Sequence, residues 1–339
     1  MKLINKRVLS LLAALMFPWG CEEGNTRDAA PIQSDAGMGG RNCDAAPNNW
    51  QVQDPGFGNG AVDKNVNFFD VWGDNENAVW AVGSGGQIVF FDGQKWSTQQ
   101  TPTQSQLTSV WGILEIDVWA VGFESTVLHF DGEKWENNSP PDELFWDRDG
   151  GVPEGDAAVG LRPNLWGVWS FSEGEITKLY AVGDNGLVLF FDGTEWSKVR
   201  SGVEEKLTGV WGYGNQVFVV GDFGTFLVGN DPKKSLSKKG TGIDKALRSV
   251  WGRDGSHVYA VGLSGTVLFY DGDKVRKVEG APPAPPQFLR DIWGEPGKTG
   301  EIYIVGWNGV ILRMRGTPPF SEGAEFDAFT CVTTSRLEA

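Results

Sequence analysis

The sequence predicts an all-β protein: a six-bladed β-propeller with four-stranded antiparallel blades, preceded by a signal peptide and a disordered tether. Three observations predict this fold. An apolar motif recurs six times, its copies lie roughly forty residues apart, and short strand-like runs are separated by Gly and Asp. A repeat of this length with four strands per unit is typical of propeller blades. One blade cannot bury its own faces, whereas six blades in a ring bury them against each other.

The recurring motif is Val-Trp-Gly, with Ser in place of Gly in the third copy and Ile in place of Val in the sixth. Its tryptophans are Trp72, Trp111, Trp169, Trp211, Trp251 and Trp293. They are 39, 58, 42, 40 and 42 residues apart, so the one long interval marks an insertion. The repeats lie near 62–100, 101–140, 165–200, 201–240, 241–280 and 284–320, and the insertion covers 137–164. A residue type that recurs at one position of each repeat is predicted to pack between blades.

Each repeat is predicted to contain four short strands. In the second repeat they cover 107–111, 118–121, 126–130 and 135–138, which are rich in Val, Trp and Phe. The second strand of each repeat ends in Val-Gly. The third often closes with Asp-Gly, a hairpin signal because Gly accepts a positive φ.

These elements carry a family resemblance. Val-Trp-Ala-Val-Gly at 79–83, followed by Asp-Gly-Gln-Lys-Trp at 92–96, resembles an Asp-box (BNR) repeat and the repeats of the photosystem II stability-factor family. The resemblance covers about residues 62–316 and implies a propeller. It implies no single function, because Asp-box propellers include sialidases, assembly factors and lectin-like binders. The fourth repeat departs from the pattern by having Asn230 and no Asp-Gly turn.

The N-terminus is typical of an exported protein. A basic start and an apolar run at 8–17 precede Gly20-Cys21, which makes 1–20 a predicted signal peptide. Pro-Trp-Gly-Cys resembles the cleavage box of bacterial lipoproteins, although that box prefers Leu where Pro18 stands. We expect a lipid on Cys21, a flexible linker over 21–42 and a propeller over 43–334. This predicts attachment to the bacterial cell envelope, at the outer membrane or cell surface. Secretion after plain cleavage near Gly20 is the alternative.

The charge narrows the class of partner. The chain has a net charge of −15, and cleavage before Cys21 removes three cations and no anions, which gives −18. Nucleic acids and anionic lipid head groups require a basic face, so neither is expected as a partner. We expect a monomer that binds an envelope or extracellular protein or glycan, with the membrane reached only through the N-terminal lipid.

The cysteines predict one disulfide. If Cys21 carries lipid, Cys43 and Cys331 remain as an even pair in an oxidising compartment. A propeller must join its last blade to its first, or two strand edges stay open. Either 48–53, which contains Trp50, or 326–334 fills the fourth-strand position of the sixth repeat. Both alternatives bring the two cysteines near each other.

The sequence predicts no catalytic site. It offers no His/Cys metal cluster, no Ser or Cys nucleophile with its partners, and no phosphate-binding loop. The alternative is a sialidase-like or other glycoside-processing enzyme, which requires an arginine cluster, an acid/base carboxylate and a tyrosine nucleophile. The Phe-Arg-Ile-Pro element of sialidases is absent. Arg248 and Arg290 share a repeat position with Thr108 and Thr208, which favours a solvated or structural role.

One loop position differs from blade to blade. The residues that follow Val-Gly are Ser84, Phe123, Asp184, Asp222, Leu263 and Trp307. Such variation cannot come from blade packing, so it is either neutral surface drift or a recognition surface. The predicted ligand-binding residues are Phe123, Asp184, Asp222 and Trp307, with Phe145 and Trp146 added from the insertion. The spacing of Asp147 and Asp149 resembles part of a calcium loop, with a solvated loop as the alternative. No other cofactor is expected.

Overall fold

The protein is an all-β, six-bladed propeller of four-stranded antiparallel blades. The structure is a computed structural model that describes residues 66–145, 162–231, 234–278, 288–294, 302–307, 310–315 and 325–330. The strands of the first three blades are β1 (Phe68–Asn75), β2 (Ala78–Gly83), β3 (Ile88–Phe91), β4 (Trp96–Gln99), β5 (Leu107–Leu114), β6 (Asp117–Gly122), β7 (Val127–Phe130), β8 (Trp135–Asn137), β9 (Leu165–Glu173), β10 (Ile176–Gly183), β11 (Val188–Phe191) and β12 (Trp196–Lys198).

The last three blades repeat the pattern. Their strands are β13 (Leu207–Tyr213), β14 (Gln216–Gly221), β15 (Phe226–Gly229), β16 (Ser237–Lys238), β17 (Leu247–Asp254), β18 (His257–Gly262), β19 (Val267–Tyr270), β20 (Val275–Lys277), β21 (Leu289–Gly294), β22 (Ile302–Gly306), β23 (Val310–Arg315) and β24 (Glu325–Thr330). The fourth blade, which lacks the Asp-Gly turn, has the shortest outer strand, β16.

The strand order within each blade follows the sequence, and the first strands of all six blades line a central channel. Because the strands alternate in direction, the connections divide between two faces. We call the face with the turns between second and third strands, together with the connections between blades, the upper face. The lower face has the hairpins between first and second strands and the Asp-Gly turns.

The sixth blade is completed by the C-terminal strand. β24 pairs with β23, with Thr330 opposite Val310 and Glu325 opposite Arg315. Of the two segments that could fill this position, the C-terminal one therefore does so. Cys21, Cys43, Cys331, Trp50, Trp146, Asp147 and Asp149 lie outside the described residues. The predicted lipid anchor, disulfide and calcium site therefore stay predictions.

The Val-Trp-Gly motif forms the junction between neighbouring blades. A Cβ on Gly112 would lie 2.6 Å from the ring of Trp72, which belongs to the preceding blade. Gly212 faces Trp169 in the same way, and Gly252 faces Trp211. In these copies the indole of the previous blade covers the glycine and leaves no room for a side chain. In the third blade Ser170 replaces glycine, and Trp111 donates its Nε1–H to the Ser170 carbonyl oxygen at 3.2 Å. The prediction of interblade packing is confirmed.

The Asp-Gly turns close the outer hairpins through backbone hydrogen bonds. In the first blade Asp92 Oδ1 accepts the N–H groups of Gln94 and Lys95 at 2.9 and 2.8 Å. These donors hold the pKa of Asp92 below its usual range. Asp131, Asp192 and Asp271 each accept the backbone N–H groups of the residues two and three positions later in their own blades.

In the described ranges, no helix has the length and hydrophobicity needed to cross a membrane.

Candidate functional site

The channel has a volume of about 440 Å³, and residues of the upper connections, among them Gln106, Lys206 and Trp307, line its upper end. Each first strand starts at the upper face, so the residue three positions before its motif tryptophan lies near the opening. These residues are Phe69, Thr108, Trp166, Thr208, Arg248 and Arg290. Unlike the tryptophans, they differ in size and charge from blade to blade. This end of the channel is therefore chemically asymmetric.

Trp166 lies at the centre of one half of the opening. Its Nε1–H donates to Asp184 Oδ1 at 2.7 Å, and its ring meets the Phe123 ring edge-on, with centroids 5.5 Å apart. Lys206 Nζ lies 3.2 Å from the Trp166 ring centroid, within the range of a cation–π interaction. Phe123 and Asp184, both predicted from the variable loop position, thus meet at the same tryptophan.

The other half of the opening is formed by two arginines. Arg248 Nη1 pairs with Asp222 Oδ1 at 3.2 Å. The Arg290 guanidinium lies 5.8 Å from the centroid of the Trp307 ring, which is 46% exposed and also contacts Phe288. In the part of the chain that the structure describes, Arg290 forms no ion pair. We call Phe123, Trp166, Asp184, Lys206, Asp222, Arg248, Arg290 and Trp307 the channel mouth.

The channel mouth is locally cationic although the chain is acidic overall. Within the channel mouth, the cations Lys206, Arg248 and Arg290 outnumber the carboxylates of Asp184 and Asp222. Burial lowers the pKa of Lys206, and the two arginines lower it further against the opposing effect of Asp184. Burial and the charge of Arg248 likewise lower the pKa of Arg290, against the opposing effect of Asp291. The three cations repel one another, so an anionic group that entered among them would be stabilised.

A pair of carboxylates lies deeper in the channel, where the first and sixth blades meet. Asp70 accepts hydrogen bonds from Ser109 Oγ and the Val110 N–H at 2.8 and 2.9 Å. Asp291 accepts one from Ser249 Oγ at 2.5 Å. Burial and the charge of Asp291 raise the pKa of Asp70 to about 7. Burial also raises the pKa of Asp291. The equivalent positions in the other blades are Ser109, Gly167, Gly209 and Ser249.

The sialidase alternative requires a tyrosine nucleophile. No tyrosine or glutamate lines the channel among the described residues, so the nucleophile expected of a sialidase is not found there. Asp70 and Asp291 are each hydrogen-bonded to a serine of a neighbouring blade, which links them to ring packing. Within the same residues, no group of three or more His, Cys, Asp or Glu side chains is placed to hold a metal ion.

Phe145 lies apart from the channel mouth. Its ring lies 5.2 Å from the Arg162 guanidinium and 5.5 Å from Lys198 Nζ, on the outer strand β12 of the third blade. Ser84 accepts the backbone N–H of Asn67 in the first blade. The structure therefore brings together Phe123, Asp184, Asp222 and Trp307, but not Phe145.

Lys206, Arg248 and Arg290 were not predicted to belong to this site. Sequence reasoning gave the two arginines a solvated or structural role because threonine occupies the same position in two other repeats. The sequence did contain a signal for the two arginines. The position three residues before the motif tryptophan differs from repeat to repeat, as Phe69, Trp166 and Arg248 show. The criterion that identified the variable loop would have identified this strand position as well.

Comparison with known proteins supports the fold. No protein-family model matches the chain, and no curated protein does. A structure of YCF48 bound to D1 peptide is 14% identical, covering 73% of this chain and 76% of that one, with a TM-score of 0.52. YCF48 from Cyanidioschyzon merolae is 14% identical over 73% and 95% of the two chains, with a TM-score of 0.43. The RRP9 WD40 repeats are 10% identical over 80% and 83%, with a TM-score of 0.60.

The first and third of these structures show the β-propeller fold and nothing finer, because their identities are so low. The resemblance to Asp-box and stability-factor repeats stays a prediction.

Proposed function

We propose that this chain is a non-catalytic binding propeller that recognises an acidic segment of a protein partner at the channel mouth. The observation that carries the proposal is the convergence of Lys206, Arg248 and Arg290 with Trp166 and Trp307 around one opening. Arginine and tryptophan are the side chains that contribute most often to binding energy at protein interfaces. Arginine is also suited to binding a carboxylate through two parallel hydrogen bonds.

The occupied aromatic faces favour a polypeptide over a glycan. Sugars bind by stacking on bare aromatic rings, but Lys206 lies over Trp166, and Arg290 and Phe288 lie beside Trp307. The cations therefore define the chemistry of the opening more than the rings do. The solved relative described as bound to D1 peptide adds a propeller of similar fold that holds a peptide.

Arg290→Ala and Trp307→Ala are expected to weaken binding without unfolding the protein. Acidic sequences on a peptide array should lose signal by about tenfold, which corresponds to about 1.4 kcal/mol. The melting temperature of Trp307→Ala should stay within a few degrees of wild type, because the ring is already half exposed. Tyr213→Ala removes a similarly exposed ring on the lower face and should bind like wild type.

A glycan array and fluorogenic glycosides, including a sialoside, separate the alternatives. Glycan signals that depend on Arg290 and Trp307, with none from acidic peptides, would support the lectin-like alternative instead. Turnover of any glycoside would contradict a non-catalytic role.

We further propose that the propeller is exported and held at the bacterial cell envelope by a lipid on Cys21. The proposal rests on the signal sequence and on the fit to the lipoprotein cleavage box. Protein made in a host with lipoprotein processing should separate with membranes and carry an acyl mass at Cys21. Cys21→Ala should release it into the soluble fraction. A soluble wild-type product with an unmodified N-terminus would support plain secretion.

A further inference from the structure

Phe223 has an unfavourable backbone conformation. It is the second residue of the turn between β14 and β15, with φ 54° and ψ 37°. The left-handed region suits glycine and, less well, asparagine, whereas a bulky residue there is strained. The same turn position is occupied by Gly85, Glu124, Asn185 and Ser264 in other blades. The fold therefore does not need an aromatic side chain at this point.

Phe223 is also 70% exposed, which is the highest value among the exposed large apolar residues in the described part of the chain. The turn is anchored by its neighbour. Gly224 donates its N–H to the Lys245 carbonyl oxygen at 2.9 Å, and its own carbonyl oxygen accepts Thr241 Oγ1–H at 2.9 Å. Strain and exposure together mark Phe223 as a residue whose role lies outside folding.

The surroundings of Phe223 are basic. The upper connection before β17 and the start of that strand, residues 239–248, have three cations, Lys239, Lys245 and Arg248, and one anion, Asp244. The Phe223 turn packs on this connection, where Lys245 pairs with Asp244 at 3.2 Å and its side chain is about half exposed. Asp222, next to Phe223 in the chain, pairs with Arg248 in the channel mouth. A positive sector in so acidic a chain is complementary to an acidic partner.

We propose that Phe223 is an apolar contact point that extends the channel mouth across the fourth blade, where it receives an apolar side chain of the acidic segment. The inference rests on the proposed function and adds to it. Carboxylates of the segment meet the cations of the mouth and the upper connection, while an apolar side chain between them packs on Phe223.

Phe223→Asn tests this role, because asparagine tolerates the turn conformation and lacks the ring. Three labelled peptides serve as probes: repeats of Glu-Gly-Phe, of Glu-Gly-Gly and of Lys-Gly-Phe. The wild type should bind Glu-Gly-Phe most tightly and Lys-Gly-Phe most weakly. Phe223→Asn should raise the melting temperature and weaken Glu-Gly-Phe binding at least about fivefold, with little change for Glu-Gly-Gly. Tyr213→Asn, on the lower face, should leave all three affinities unchanged.

The outcomes separate this inference from the proposed function. If Phe223→Asn binds Glu-Gly-Phe as the wild type does, while Arg290→Ala weakens it, the Phe223 contact is wrong and the mouth remains the site. A lower melting temperature for Phe223→Asn would overturn the inference too, because the ring would then serve packing. If Arg290→Ala leaves Glu-Gly-Phe binding unchanged, the proposed function itself fails.

Discussion

Trp251→Ala is expected to lower the free energy of unfolding by about 3–5 kcal/mol, the range for losing a buried aromatic side chain. Trp251 is 4% exposed and lies at the junction of the fifth and sixth blades. Its ring packs on Gly294 of the next blade, and its centroid lies 6.5 Å from that of Trp211. The substitution would therefore leave a cavity at this junction, and closure of the ring depends on the junctions between blades. Urea denaturation followed by far-UV circular dichroism measures the loss.

Three further variants separate junction packing from a general loss of tryptophan. Trp307→Ala should cost less than about 1 kcal/mol, because that ring is half exposed on the upper face. Gly212→Ala should destabilise by about 1–3 kcal/mol, because its Cβ would lie 2.3 Å from Trp169, whereas the open position Gly240→Ala should be neutral. If Trp307→Ala destabilises as much as Trp251→Ala, Trp307 is a core residue and the proposed mouth loses its aromatic anchor.

Asp291→Asn is expected to stabilise the protein above neutral pH by about 2 kcal/mol and to flatten its dependence on pH. Asp70 has a pKa of about 7 instead of 3.8, so between these values the folded protein keeps a proton that the unfolded chain has released. Stability therefore falls as pH rises through that window. Asparagine keeps an acceptor for Ser249 and removes the charge that faces Asp70.

Urea midpoints measured between about pH 4 and pH 8 test this effect. The contribution of Asp70 to stability should fall across the range in the wild type, and it should fall less in Asp291→Asn, so the stability difference between the two proteins should grow with pH. Near pH 4 the two proteins should differ least, because Asp70 is then protonated and has no charge to oppose that of Asp291. Asp192→Asn is the control: backbone and Thr194 hydrogen bonds lower the pKa of Asp192 to about 2, so it titrates below the window. An unchanged slope in Asp291→Asn would show that the two carboxylates do not interact.

Much of the fold could be predicted from the sequence because each blade repeats the same local signals. Val-Trp-Gly predicted the interblade junction, and the structure gives its reason in the contact between Trp72 and Gly112. The four strands of the second repeat were placed to within a few residues. Which terminus completes the sixth blade could not be decided, since both 48–53 and 326–334 have strand-like sequences. The pairing of β24 with β23 in the structure settles that question.

The site was only partly predictable. Variation at one loop position identified Phe123, Asp184, Asp222 and Trp307, because departures from a repeat are visible in sequence. Lys206 was missed, because its contact with Trp166 joins residues far apart in the chain. The strain at Phe223 could not be seen at all, since a sequence does not give φ.

The most direct measurement of recognition at the channel mouth is site-specific photocrosslinking in intact envelopes of the producing cells. A photoreactive phenylalanine analogue replaces Trp307 on the upper face in one protein and Tyr213 on the lower face in another. We predict crosslinks to one acidic polypeptide segment from position 307, lost when Arg290→Ala is added, and none to that segment from position 213. Equal crosslinking from both positions, or crosslinks from 307 that persist with Arg290→Ala, would contradict a binding site at the channel mouth.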